Sequence, residues 1–153
     1  MTSPAVLFVC LGNICRSPLA EAAFRAAAEQ TGLSMLADSA GTADYHVGEA
    51  PDPRAIRTAA RFGIDISGYR GRQAISADFT RFSHIFALDH SNLANLRRIA
   101  PAGHSAQLSL LLDLVPGREG QAVADPWYGD EEGFLATWDE VSLGARHLVA
   151  KLR

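Results

Sequence analysis

Apolar residues run unbroken from Ala5 to Val9, short enough for one strand and apolar enough to be covered on both faces. After the mixed stretch Cys10-Leu11-Gly12-Asn13-Ile14-Cys15-Arg16-Ser17-Pro18 the period changes, and Leu19, Ala22, Ala23 and Ala26 recur at helical spacing. Ser17 suits an N-cap and Pro18 a first helical position, which predicts a helix from there to about Ala28. A second strand is predicted over Leu36 to Ala40, closed by Gly41. Asp52 and Pro53 repeat the cap-and-proline signal, opening a helix through Ile56, Ala59, Ala60 and Phe62 that Gly63 ends.

Residues 65 to 73 read as a loop. His84 to Leu88 reads as a third buried strand, followed by Asp89, a cap at Ser91 and a short helix carrying Leu93, Leu96 and Ile99. Gln107 to Leu112 is the fourth strand, Pro116 to Gly120 a turn, and Asp125-Pro126-Trp127-Tyr128-Gly129-Asp130 a polar loop. A long helix from about Glu131 to Leu152 follows, with Leu135, Trp138, Val141, Ala145 and Leu148 as its stripe and Asp130, Glu131 and Glu132 favouring its N-terminus. Strands alternating with helices predict an α/β fold, a four-stranded parallel sheet with helices on both faces. Sites in such sheets lie at the carboxyl ends of the strands, where residues 10 to 17 sit.

Composition narrows the function. The chain has 153 residues, 48% of them hydrophobic, enough for one domain over residues 1–153 with one sizeable core. Lys and Arg total 14 against 17 Asp and Glu, a net charge of −3 that gives no general attraction to nucleic acid or anionic membrane. The apolar runs fall short of the roughly 20 residues that a bilayer needs, and Met1 to Val9 has no secretory pattern, so a cytoplasmic location is expected. His46, His84, His90, His104 and His147 lack His-x3-His spacing and the two cysteines lack Cys-x2-Cys, so neither a metal site nor a cofactor is expected. Arg54, Arg70 and Arg72 read as solvated charges.

Any anion site must therefore be local, and residues 10 to 17 can make one. Successive N–H groups of Leu11, Gly12, Asn13, Ile14, Cys15, Arg16 and Ser17, backed by a helix N-terminus, can form a nest for a tetrahedral oxyanion. Arg16 adds a planar fork for two phosphate oxygens, and the same positive field favours a thiolate on Cys10. A thiolate at the floor of a phosphate cradle is a nucleophile aimed at phosphorus, leading to a phosphocysteine that water hydrolyses. Asp125, beyond the fourth strand, offers a general acid that later serves as base. Ser17 can donate to the departing thiolate. Cys15 is read two ways, as packing or as the partner that traps oxidised Cys10 in a reversible disulfide.

A strand, then Val9-Cys10-Leu11-Gly12-Asn13-Ile14-Cys15-Arg16-Ser17-Pro18, then a helix, with Asp125-Pro126-Trp127-Tyr128-Gly129 downstream, closely resembles the low-molecular-weight protein tyrosine phosphatase family. The likeness extends to Asp38-Ser39-Ala40-Gly41-Thr42, Asp52-Pro53-Arg54, Phe62-Gly63-Ile64 and Asp89-His90-Ser91-Asn92-Leu93, covering essentially the whole chain. It implies the phosphotyrosine phosphatase I-like fold, with Cys10 as nucleophile, Arg16 as phosphate clamp and Asp125 as acid. It further implies Asn13, Ser17 and Ser39 as loop supports, and Tyr45, Trp127 and Tyr128 as cleft walls. Two departures stand out. Tyr69, ahead of Arg70-Gly71-Arg72, occupies a position where many members have histidine, which puts the buttress of Asn13 in question. Trp127 stands where tyrosine is frequent, which bears on substrate preference.

The resemblance implies metal-independent hydrolysis of phosphotyrosine in proteins and of small aryl phosphates. Its partners would be tyrosine-phosphorylated proteins and a tyrosine kinase acting in opposition, with a monomer or a weak dimer as the working unit. Protein arginine phosphatase is the near alternative; relatives of that activity carry threonine at the position of Ile14. A phosphate-binding module without turnover is the other, and it predicts loss of Cys10 or Asp125, both of which are present.

Overall fold

The computed structural model describes residues 4–153. Strands β1 (Ala5–Cys10), β2 (Leu36–Gly41), β3 (His84–Ala87) and β4 (Gln107–Leu110) form one sheet in the order β2-β1-β3-β4, with every pairing parallel. Helices α1 (Arg16–Gln30), α2 (Pro53–Arg61), α3 (Asp78–Arg81), α4 (His90–Ile99) and α5 (Glu131–Leu152) complete it. This is the α/β architecture expected from the alternating pattern. No described helix is long and apolar enough to cross a membrane.

β1 explains why the N-terminal run has no polar gap. Successive side chains point to opposite faces, and both faces are covered. Val6, Phe8 and Cys10 join the core beneath α1 and α5, with Leu19, Phe24, Phe134 and Val141. Leu7 and Val9 join the opposite core with Phe79, Leu93 and Leu96. Because β2 and β3 lie on either side of β1, the chain leaves the ends of β1 and β3 in opposite directions. A crevice opens there, at the topological switch point, and the segment after Cys10 and the segment after Ala87 both border it.

Four local readings are corrected by tertiary contacts. Ser17 is not the cap of α1; Cys15 holds that position without a side-chain bond, and Ser17 lies inside the first turn with its hydroxyl turned to the loop. Ser91 is not the cap of α4 either, since Asp89 takes the Asn92 N–H at 2.7 Å. The fourth strand stops at Leu110, where Leu111–Leu114 tightens into a 3₁₀ turn beneath α5. Phe62 ends α2 on its outer side and stacks on Trp138 at 4.9 Å between ring centroids. The short α3 carries no period long enough to read, and its place is set by burial of Phe79.

Asp52 does cap α2, accepting the Arg54 N–H at 2.8 Å with Pro53 at the start of the helix. Hydrogen bonds from Arg54 hold its carboxyl below the usual carboxylate range against the opposing cost of burial. Its folded-state value lies below its unfolded one, so its contribution is present above the ordinary carboxylate value and is lost as pH falls toward the folded value. Asp52→Ala is expected to cost about 1 kcal/mol in urea unfolding at neutral pH. The difference from the wild type should shrink on acidification; an equal loss at acid and neutral pH would contradict the ionic contribution.

Candidate active site

Residues 11 to 15 join the end of β1 to α1, and hydrogen bonds turn the carbonyls of this region into the protein. Cys10 O accepts from Thr42 N at 2.9 Å, Leu11 O from Ala43 N at 3.0 Å and Ile14 O from Asp52 N at 2.8 Å. Among the described residues, the N–H groups of Gly12 to Ser17 have no acceptor. A loop with its carbonyls engaged and its donors free is an anion nest, and the first turn of α1 lies directly behind it. Asn13 supplies the left-handed residue the turn needs, at φ 59°. Gly41 lets β2 approach, because a Cβ there would lie 2.6 Å from Leu11 O.

The Asn13 side chain locks the loop, and the direction of its bonds is set from one end. The backbone N–H of Arg72 can only donate, so Asn13 Oδ1 faces it at 3.0 Å. Asn13 Nδ2 therefore donates to Ser17 Oγ at 2.7 Å and to Ser39 Oγ at 3.0 Å. Ser39 in turn donates a hydrogen bond to Glu21 Oε1 at 2.9 Å, and the Ser17 hydroxyl is free to direct its proton at Cys10 Sγ, 3.0 Å away. Burial pushes the Glu21 carboxyl upward against the hydrogen bonds it receives from Ser39 and Arg25.

Arg16 is buried, at 3% exposure, and its guanidinium is aimed by contacts from after β3. Nη1 donates to Asp89 Oδ2 at 2.8 Å and to the Val123 carbonyl at 3.0 Å. The Nε and Nη2 edge remains for a ligand, with Asp125 Oδ2 at 3.7 Å from Nη2. Burial disfavours the charge, yet Cys10, Asp89 and Asp125 outweigh it and raise the pKa of Arg16. The polar loop is carried to this place by Val123 N, which donates to Leu88 O at 2.8 Å. Asp125 is half-exposed and accepts the Trp127 N–H at 3.1 Å.

Together these groups floor and wall a cleft of about 320 Å³. Cys10, Leu11, Gly12, Ile14, Cys15 and Arg16 form its base, and Tyr45, His46, Asp125, Trp127 and Tyr128 its sides. Asn13 and Ser17 lie buried behind the loop, where their side chains support it. Both cysteines are free thiols, and burial, followed by the charges of Asp52, Cys10 and Asp125, pushes the Cys15 thiol well above the ordinary range.

A family model described as low molecular weight phosphotyrosine protein phosphatase matches residues 5–153. The chain belongs to this family. It is 44% identical to the low molecular weight phosphotyrosine protein phosphatase of Schizosaccharomyces pombe over 132 residues, 84% of each chain. A protein tyrosine phosphatase from Entamoeba histolytica, solved with Hepes in its active site, superposes with a TM-score of 0.92 at 35% identity, covering 98% of this chain and 97% of that one. A Drosophila arginine phosphatase superposes with a TM-score of 0.91 at 29% identity, covering 97% and 98%. By family the protein is an enzyme of the protein-tyrosine-phosphatase class, a hydrolase.

Against this background, four features of the phosphatase were not read from the sequence. Asp89 and the Val123 carbonyl orient Arg16; the only sequence sign was Asp89 in a stretch that resembles the family, and no role attached to it. His46 lines the cleft, its Nδ1 paired with Glu49 at 2.9 Å, and no spacing singled it out. Arg72 is not a free surface charge: it bridges Asp38 at 3.0 Å and Asp78 at 3.1 Å, and its backbone holds Asn13. Tyr69 leaves the buttress of Asn13 intact, because that bond comes from the Arg72 backbone. The Tyr69 ring is half-buried against the α1 core, and burial, reinforced by Glu21, raises its pKa.

Proposed function

We propose that the protein hydrolyses phosphotyrosine in proteins, and small aryl phosphates, through a phosphocysteine on Cys10. The observation that carries this reading is the free N–H array from Gly12 to Ser17 closing around a cysteine sulfur whose only hydrogen-bond partner among the described residues is the Ser17 hydroxyl. The loop donors and the Nε and Nη2 edge of Arg16 take the three non-bridging phosphate oxygens, where charge accumulates as the phosphoryl group transfers. Cys10 Sγ attacks phosphorus, an S–P bond forms, and the P–O bond to the phenol breaks. Asp125 gives its proton to the leaving oxygen. In the second half Asp125 takes a proton from water, the water oxygen bonds to phosphorus, and the S–P electron pair returns to sulfur, where Ser17 donates to it. Tyr45, Trp127 and Tyr128 supply aromatic walls for a phenyl ring. Cys15 lines the base of the same cleft as Cys10, which supports its reading as the partner of an oxidised Cys10.

A second reading, phosphoarginine hydrolysis, has the Drosophila neighbour in its favour. Against it stands Ile14, which lines the cleft with an apolar branched side chain where a guanidinium leaving group would want a polar contact. Phosphate release from matched phosphotyrosine and phosphoarginine peptides, measured with a chelator present, separates the two. Rapid release from the phosphotyrosine peptide and at most about a tenth of that rate from the phosphoarginine peptide are expected, in line with the roughly ten- to hundredfold that one pocket contact discriminates. The reverse order would overturn the assignment, and turnover abolished by chelation would overturn metal independence.

A further inference from the structure

Arg54 was read from the sequence as a solvated charge, but all three of its guanidinium nitrogens are occupied. Nε and Nη2 donate to the two oxygens of Asp52, each at 3.0 Å, and Nη1 donates to the Gly129 carbonyl at 2.9 Å. The same group lies 4.7 Å from the Phe134 ring centroid and 5.4 Å from that of Trp127. One end of this clamp is rooted in the phosphate loop, because Asp52 N donates to Ile14 O at 2.8 Å. The other end holds the Pro126–Gly129 turn, closed by Gly129 N on Pro126 O at 2.8 Å. Among the described residues, the only other side chain that hydrogen-bonds to residues 126–129 is that of Asp125 itself, which accepts the Trp127 N–H at 3.1 Å.

We propose that Arg54 is a positioning residue for Asp125: it ties the turn that follows Asp125 to the phosphate loop, so that the carboxyl stands over the leaving oxygen. The proposal rests on the reading of Asp125 as general acid. Asp125 is half-exposed, and the Trp127 N–H that orients it belongs to the turn that Arg54 grips. Without the clamp the turn gains freedom, and the fraction of molecules with the acid in place falls. Lysine cannot substitute, having one ammonium in place of a planar fork that bridges two acceptors while stacking on two rings.

The test is kcat/KM across aryl phosphates whose leaving phenols span a wide range of acidity, since a positioned acid matters most for poor leaving groups. Asp125→Asn should make the rate fall steeply as the phenol becomes less acidic. Arg54→Ala should steepen the series in the same sense, with a loss of about tenfold for phenyl phosphate and little for an activated nitrophenyl ester, a fraction of the whole acid effect. Arg54→Lys should resemble Arg54→Ala, and it carries the test if the alanine variant melts below the assay temperature. In the Arg54→Ala background, adding Asp125→Asn should cost no more than bringing the rate to that of Asp125→Asn alone. Arg57→Ala, which removes the exposed pair with Glu131 on the same helix, serves as control and should keep the wild-type slope. An Arg54 loss uniform across the series, or fully additive with Asp125→Asn, would overturn the proposal while the acid survives. A flat series for Asp125→Asn would overturn the acid and the proposal with it.

Discussion

Cys10→Ser is expected to lower phosphotyrosine turnover by roughly 10⁴-fold to 10⁶-fold, the scale on which removal of a covalent nucleophile is felt. The reason lies in what surrounds the sulfur. Among the described residues its one hydrogen-bond partner is Ser17 Oγ at 3.0 Å, whose proton is free to turn to a thiolate because Asn13 donates to the same oxygen. This arrangement stabilises an anion and accepts no proton, so a hydroxyl at position 10 has no base to activate it. The anion nest, in contrast, is made of backbone N–H groups that the substitution leaves alone. Inorganic phosphate should therefore still raise the melting temperature of Cys10→Ser, as it does for any protein whose folded state alone binds the ion. Retained turnover would remove Cys10 from the mechanism; loss of both turnover and phosphate stabilisation would show that the loop had collapsed.

Arg16→Lys is expected to lower kcat by about 10³-fold with a much smaller change in KM, as for removal of a group whose contact strengthens in the transition state. The Arg16 guanidinium divides its labour: Nη1 is held by Asp89 and Val123, and the opposite edge faces the cleft. A single ammonium can satisfy the anchor or reach the phosphate, but it cannot present two parallel donors while anchored. Steady-state kinetics on one aryl phosphate would decide the matter. A rise in KM at unchanged kcat would mean that Arg16 binds ground state and transition state alike.

Much of this site was legible because it is local. Cys10, the loop, Arg16 and the start of α1 lie within seven positions at the end of a strand, and backbone geometry over so short a span is governed by its own sequence. Asp125 lies far along the chain: its place in the polar loop after the fourth strand made it a candidate acid, and the family resemblance implied the same role. Asp89 is the instructive omission. Its capping of α4 is a local matter, but its second oxygen reaches Arg16 only because β3 runs beside β1 in register, Val9 opposite Ala87. Ser17 shows the opposite error. A serine before a proline looks like a helix cap, and here its hydroxyl is claimed by Asn13 and Cys10 instead.

Legible along the chain were the strand-and-helix alternation, the doubly buried first strand, the cap at Asp52 and the loop that follows Cys10. Hydrophobic period, capping chemistry and short-range spacing are properties of neighbouring residues, and they survive without knowledge of the fold. Only the tertiary structure decided which groups aim those residues. The strand order β2-β1-β3-β4 brings Asp89 to Arg16, the Arg72 backbone to Asn13 and Arg54 to the loop behind Asp125. Each of these contacts joins segments more than fifty residues apart through hydrogen bonds of fixed geometry, and no pattern along the chain encodes such a meeting until the sheet has placed its strand ends side by side.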